Sequence, residues 1–149
     1  MADLEMAKRL TELAQTDLDT IDAYDQAIRE LSEPVIKDRL QSYRSEHAVH
    51  FQQLSNLIVD LGANAPARCP SSEKDFDTEE FESRSPGSGD AGILRLLLRN
   101  ETLASHAYDE AARQDLSLKA RFLVDNGRGE EKQHILYLEE ALKDIERTA

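Results

Sequence analysis

The chain has little of what secreted, membrane and nucleic-acid-binding proteins are usually built from. Its 149 residues include one cysteine, Cys69, which excludes an intramolecular disulfide and a metal cage of several thiolates. Tryptophan is absent, aromatic residues make up 5%, and there are six glycines and four prolines. Apolar runs are short, as in residues 96–98, so no segment is predicted to span a membrane. The composition favours one domain of long helices over sheet.

Positive charge is also scarce. The formal net charge is −12, although 32% of the residues are charged. A surface that binds nucleic acid needs a stripe of lysine and arginine, so nucleic acid is excluded as a partner. The excess of acid favours solubility and attracts cations. The N-terminal residues lack the basic and apolar runs of a signal peptide, so we expect a cytoplasmic protein.

Helical periodicity divides the chain into two helical hairpins. We expect the first over residues 4–61, turning at Ser32, which can cap the second helix, and the second over residues 90–147. Residues 62–89 hold clustered proline, serine and glycine with acidic residues, and we predict a long connection there with one short helical turn after Thr78. Short, long and short connections predict an all-α four-helix bundle with a crossover.

An internal repeat supports two related hairpins. Shifting the sequence by 84 residues aligns the halves without gaps and gives eleven identities over positions 10–58. The repeat includes Ala23-Tyr24-Asp25 with Ala107-Tyr108-Asp109, and also Arg44 with Arg128. Two copies are too few for a solenoid, but they suit two hairpins related by a pseudo-two-fold axis.

The predicted interior face of each helix is apolar except near its middle. The six exceptions are Asp17, His47, His50, Glu101, Glu131 and His134. Burying such groups is costly unless they pair or bind metal. Counted from the two predicted turns at a rise of 1.5 Å per residue, all six lie within about 5 Å of one level. Carboxylates and imidazoles at one level predict a site for two metal ions, and a hydrogen-bonded polar layer without metal is the alternative.

This pattern resembles the ferritin-like di-iron proteins, of the bacterioferritin and rubrerythrin kind, over the whole chain outside the connection. That family places a carboxylate on each of two helices and Glu-x-x-His on each of the other two. Glu101 matches the carboxylate, and Glu131 with His134 matches the Glu-x-x-His. Two positions depart from the pattern: Asp17 is shorter than the usual glutamate, and His47 stands where the family has glutamate.

The resemblance implies a function and a cofactor. It implies two metal ions, iron first with manganese or zinc as alternatives, and reaction with O₂ or peroxide as a ferroxidase, a peroxidase or an oxidase of a small substrate. Tyr24 and Tyr108 stand where the family often places a tyrosine beside the metals. Glu46 and Glu130 recur in both halves and are substitute ligands, although helical spacing favours His47 over Glu46.

Two further functions stay open: a binding module with one structural metal or none, and a stress-related bundle that acts by oligomerisation. We expect a homodimer, for which Ile93, Leu96 and Leu98 offer an apolar face. Gly127 and Gly129 lie where a helix is predicted, and each costs about 1 kcal/mol relative to alanine. Three roles are open for these glycines: they allow a close contact between helices, they admit substrate near the metals, or they mark a break in the helix.

Overall fold

Two antiparallel helical hairpins make up the computed structural model, which describes the backbone of residues 2–67 and 78–148 and the side chains of 3–67 and 89–148. Within these ranges the chain forms four helices: α1 (Ala2–Glu30), α2 (Pro34–Asp60), α3 (Thr78–Ala112) and α4 (Leu118–Thr148). Cys69 and the part of the predicted connection between residues 68 and 77 lie outside the described residues.

The turn between α1 and α2 uses a different cap from the one predicted. Glu33 is the N-cap of α2 and accepts a hydrogen bond from the Val35 backbone, while Pro34 occupies the first turn, where a missing N–H costs nothing. Ser32 instead donates from its backbone and its hydroxyl to the Asp90 carboxylate, at 2.9 Å in both cases. The turn of the first hairpin is thereby attached to α3.

The third helix is divided by a kink. As one element α3 runs from Thr78 to Ala112, but Gly89 separates a first helical segment from a second that begins at Asp90, near the start that the sequence predicts. The first segment is longer than the single turn expected after Thr78. At Gly89 the backbone leaves helical geometry (φ 58°, ψ −156°). That conformation suits only glycine. The resulting bend lies next to Asp90, whose carboxylate accepts the hydrogen bonds of Ser32.

The helix directions are those of a ferritin-like bundle, as predicted. α1 packs against α2 and α3, and α4 packs against α3 and α2. Met6, near the start of α1, accepts a hydrogen bond from Ser117 beyond α3, whereas Ser32, beyond α1, bonds Asp90. α1 therefore runs antiparallel to both α2 and α3, and α2 and α3 point the same way.

The interior consists of two apolar clusters with a polar level between them. One cluster lies toward the α1–α2 turn and includes Leu31, Leu40, Leu94, Leu97 and Leu138. The other lies toward the α3–α4 turn and includes Leu10, Leu13, Leu54, Ile58 and Val124. Both clusters draw on all four described helices. Polar groups at the level between them are shielded from water on two sides.

One of the three residues of the predicted dimer face is not available. Ile93 is buried in the chain's own core, and Leu96 and Leu98 are partly buried against the same cluster. Ile93 therefore offers no free apolar surface, while Leu96 and Leu98 keep part of theirs. In the part of the chain that the structure describes, no helix combines the length and the apolar character needed to cross a bilayer.

Candidate metal centre

The structure brings all six predicted site residues into the bundle interior. Five of them have no exposed surface and the sixth, His50, is 5% exposed: Asp17, His47, His50, Glu101, Glu131 and His134. They come from all four helices, and the interior spacing of each helix turns them inward.

Their donor atoms form two groups that share one histidine. His47, Glu101, Glu131 and His134 offer atoms that all lie within 4.8 Å of one another. Asp17, His47 and His50 form a second group within the same limit. Both groups combine carboxylate oxygen with imidazole nitrogen, which suits iron, manganese or zinc. His47 lies between them.

His47 presents its two ring nitrogens to different partners. Nδ1 lies 2.8 Å from Asp17 Oδ1, and Nε2 lies 3.1 Å from both carboxylate oxygens of Glu101. The same Nε2 is 3.3 Å from Glu131 Oε1. Burial alone would lower the pKa of His47, but the charges of Glu101, Glu131 and Asp17 raise it well above its usual value. In the metal-free chain His47 is thus a buried cation among carboxylates.

The other two histidines are each held by a glutamate of the facing helix. His134 Nε2 lies 2.8 Å from Glu46 Oε1, and His50 Nε2 pairs with Glu130. The two pairs are equivalent under the internal repeat, since Glu46 corresponds to Glu130 and His50 to His134. The Glu46 and Glu130 side chains are 36% and 38% exposed. They are outer partners of histidines, and neither belongs to the two donor groups.

Each of the two repeated tyrosines contacts a carboxylate from the other half of the repeat. Tyr24 donates to Glu101 Oε2, and Tyr108 donates to Asp17 Oδ2 at 2.7 Å. Burial first, and then the neighbouring carboxylate, raise the pKa of each tyrosine well above its usual value. Both hydroxyls therefore stay protonated and hold a carboxylate of the site in place.

Two of the six candidate ligands have buried polar atoms without a hydrogen-bond partner. Among the described residues, neither carboxylate oxygen of Glu131 has a partner, and His50 Nδ1 has none. Burial first, and then the charge of Glu101, raise the pKa of Glu131 well above its usual value. The pKa of Glu101 is well below its usual value because His47 and His134 outweigh its burial. A buried carboxyl group that lacks a hydrogen bond, next to one that is fully hydrogen-bonded, fits the donor set of a cation site.

Sequence reasoning missed one contact that shapes this site. The ring of Tyr43 packs on His134 with centroids 4.2 Å apart.

Gly127 lies against Tyr108 inside an uninterrupted α4. Of the three roles that the sequence leaves open for this glycine, the structure supports the close contact, which is made with a side chain. The remaining histidine, His106, is exposed.

The fold resembles that of a solved bacterial protein. The bacterioferritin-related protein of Bacteroides fragilis, described as a dodecameric thioferritin, superposes with a TM-score of 0.80 over 98% of this chain and 89% of that chain, at 17% identity. At this identity the likeness establishes the ferritin-like fold alone. A comparison with curated protein sequences gives no match.

A family model covers most of the chain. The model described as "Domain of unknown function (DUF2383)" matches residues 5–114, which include nearly all of α1 and the whole of α2 and α3. The match holds Asp17, His47, His50 and Glu101, and it stops before Glu131 and His134. The chain belongs to the DUF2383 family, and its fold is a ferritin-like four-helix bundle.

Proposed function

We propose that this chain is a ferritin-like metalloprotein whose buried centre binds iron and reacts with O₂ or peroxide. The observation that carries the proposal is the Glu131 carboxylate, which is fully buried, lacks a hydrogen-bond partner among the described residues, and lies in a group of four donors. Keeping the buried Glu131 carboxylate in its charged form is costly unless a cation balances it. The six candidate ligands remain Asp17, His47, His50, Glu101, Glu131 and His134, in two groups that offer up to two metal positions.

The donor chemistry supports iron first and manganese or zinc next. Each group mixes carboxylate and imidazole, and Cys69, the chain's one thiolate source, cannot build a thiolate cage. When bound, a redox-active metal would supply Lewis-acid and one-electron chemistry toward a small oxidant. The substrate class is therefore O₂, peroxide, Fe(II) itself or a small oxidisable molecule.

The protein's own residues give this centre a fixed geometry. Tyr24 holds Glu101, Tyr108 holds Asp17, and Glu46 holds His134. Such outer hydrogen bonds orient metal ligands and fix the tautomer of a histidine. The apolar clusters above and below exclude water. The half-exposed Glu46 and Glu130 are the acidic groups that link the centre to solvent, and a chain of charge −12 attracts cations to them.

Anaerobic loading with Fe(II) tests this function. The protein is loaded, desalted and assayed for iron per chain, and O₂ uptake is then followed after mixing with air-saturated buffer. We expect one to two irons per chain by the group count and O₂ uptake in proportion to bound iron. The double variant Glu131→Ala/His134→Ala should lose both while keeping its helix content.

A matched control removes the same two residue types from the surface. His106→Ala with Glu110→Ala deletes one histidine and one glutamate that are both exposed on α3. This control should keep full iron content and O₂ uptake. If the Glu131/His134 variant keeps its iron, or if iron-loaded protein consumes no O₂, the proposed function is wrong.

A metal-free polar layer is the second candidate, and one observation favours it. Protonated His47 bonds Asp17 and Glu101 and approaches Glu131, so one imidazolium already offsets part of the buried negative charge. Such a layer would specify helix pairing in a binding or structural module. Absence of iron and of zinc after loading would favour this function over the first.

The expected assembly is a homo-oligomer, with a dimer as its smallest form. The related Bacteroides fragilis protein is described as dodecameric, which supports assembly for this fold. We expect the chain to act in the cytoplasm, where iron is available in reduced form. Light scattering of the purified protein decides its size, and a monomeric mass would contradict the expectation.

A further inference from the structure

The three buried histidines are oriented in the same way. Each one directs one ring nitrogen to a carboxylate outside the group of His47, Glu101, Glu131 and His134: His47 Nδ1 to Asp17, His134 Nε2 to Glu46 and His50 Nε2 to Glu130. A neutral imidazole carries one N–H and one lone pair. In a metal-bound centre, the tautomer that donates to this outer carboxylate leaves the other nitrogen as the ligand atom.

This choice of tautomer gives the two donor groups unequal numbers of available histidine nitrogens. With Nδ1 donating to Asp17, His47 can offer only Nε2, which lies 3.1 Å from Glu101 and 3.3 Å from Glu131. His134 offers Nδ1, which lies 2.8 Å from Glu101. Both free lone pairs thus point to the group that contains Glu101 and Glu131. The group of Asp17 and His50 loses its shared histidine.

Asp17 and Glu131, the carboxylates that would complete the two donor groups, also differ in how many of their oxygens are already hydrogen-bonded. Asp17 has both oxygens in use, Oδ1 with His47 and Oδ2 with Tyr108. Glu131 has neither oxygen in a hydrogen bond within the described residues. Binding a cation through Asp17 competes with two existing hydrogen bonds, whereas binding through Glu131 satisfies a group that has none.

On the basis of the proposed function, we infer that the centre has one primary ion position, formed by His47, Glu101, Glu131 and His134. In this arrangement Asp17 is a positioning residue that acts through His47. Two carboxylates and two neutral imidazoles balance the charge of one divalent ion. A second ion beside His50 finds an unpartnered Nδ1 but must share Asp17 with His47 and Tyr108. It therefore binds second and more weakly.

Titration of the full-length metal-free protein with Co(II) tests this order. Calorimetry gives affinities and stoichiometry, and the visible absorption of bound Co(II) reports its ligands. We expect one tight equivalent per chain, with any second equivalent at least about tenfold weaker. Glu131→Gln should abolish the tight equivalent, and His50→Gln should keep it with an unchanged spectrum.

Asp17→Asn separates a positioning residue from a ligand. The amide keeps the shape and an acceptor oxygen but loses the charge, so Co(II) affinity should fall about 10- to 100-fold while the absorption spectrum keeps its shape. A ligand role would change the spectrum. The exposed-residue variant His106→Gln should match the unmodified protein, and helix content measured by circular dichroism shows that each variant folds.

The possible failures are distinguishable. Two equivalents of equal affinity, loss of the tight equivalent in His50→Gln, or an altered spectrum in Asp17→Asn would overturn the inference while leaving a metalloprotein. No Co(II), Fe(II) or Zn(II) binding by the folded protein would overturn the proposed function and the inference together.

Discussion

Gly127 of α4 lies directly against the ring of Tyr108 of α3. A Cβ atom added to this glycine would stand 2.1 Å from Cε1 of the ring and 2.8 Å from Cζ. The ring is buried, and its hydroxyl donates to Asp17. A missing side chain on one helix therefore places a hydroxyl from the next helix at the candidate metal centre.

Gly127→Ala should destabilise the protein although alanine is the better helix former. The new methyl group must displace a buried ring, and overpacking of this kind costs about 1–3 kcal/mol, which exceeds the gain in helix propensity of about 1 kcal/mol. Gly129→Ala is the control, because nothing in the described structure lies within 4 Å of its added Cβ. It should stabilise by about 1 kcal/mol. Urea unfolding measures both, and equal effects would contradict the packing role.

Tyr108→Phe should cost stability through one hydrogen bond. The substitution leaves Oδ2 of the buried Asp17 without its donor, and hydrogen bonds to charged groups contribute about 1.5–3 kcal/mol. Tyr137→Phe removes a hydroxyl from a partly buried ring outside the donor groups and should change the free energy of unfolding by less than about 0.5 kcal/mol. Chemical denaturation of the metal-free proteins checks the difference, and similar losses in the two variants would argue against a special role for the Asp17 bond.

The metal-free protein should depend on pH through His47. The pKa of this residue in the folded chain is raised well above the usual 6.5, so its stabilising contribution is fully present below pH 6.5 and is lost as pH rises through the raised value. The stability difference between the unmodified protein and His47→Gln should therefore shrink from pH 6 to pH 9, at up to about 1.4 kcal/mol per pH unit. Denaturation with a chelator present measures it. A difference that grows with pH would mean that His47 is buried neutral.

Helical spacing was sufficient to predict the bundle and the six inward polar residues. Both rest on the period of 3.6 residues, which places Asp17 and Glu101 on the same faces as the leucines. The same period turns Glu46 and Glu130 away from the interior, so their contacts with His134 and His50 depend on how α2 and α4 pack. Their recurrence in the repeat was the available signal.

The helical segment before Gly89 and the contact at Gly127 could not be read from local pattern. Proline, serine and glycine between residues 84 and 89 indicate a loop, yet a helical segment runs from Thr78 up to the kink at Gly89. Helix propensity alone gives Gly127 a cost to α4. A close contact is one of its three possible roles, and only the position of Tyr108, on another helix, selects that role.

Anomalous scattering from crystals grown with Fe(II) or Mn(II) tests the central claim most directly. Data collected above and below the metal absorption edge locate the ion without assumptions about ligands. We predict a peak at coordination distance, about 2.0–2.2 Å, from His47 Nε2, His134 Nδ1 and the carboxylates of Glu101 and Glu131, stronger than any peak beside His50. A metal-free interior in such crystals, or a peak only at surface carboxylates, would contradict the account.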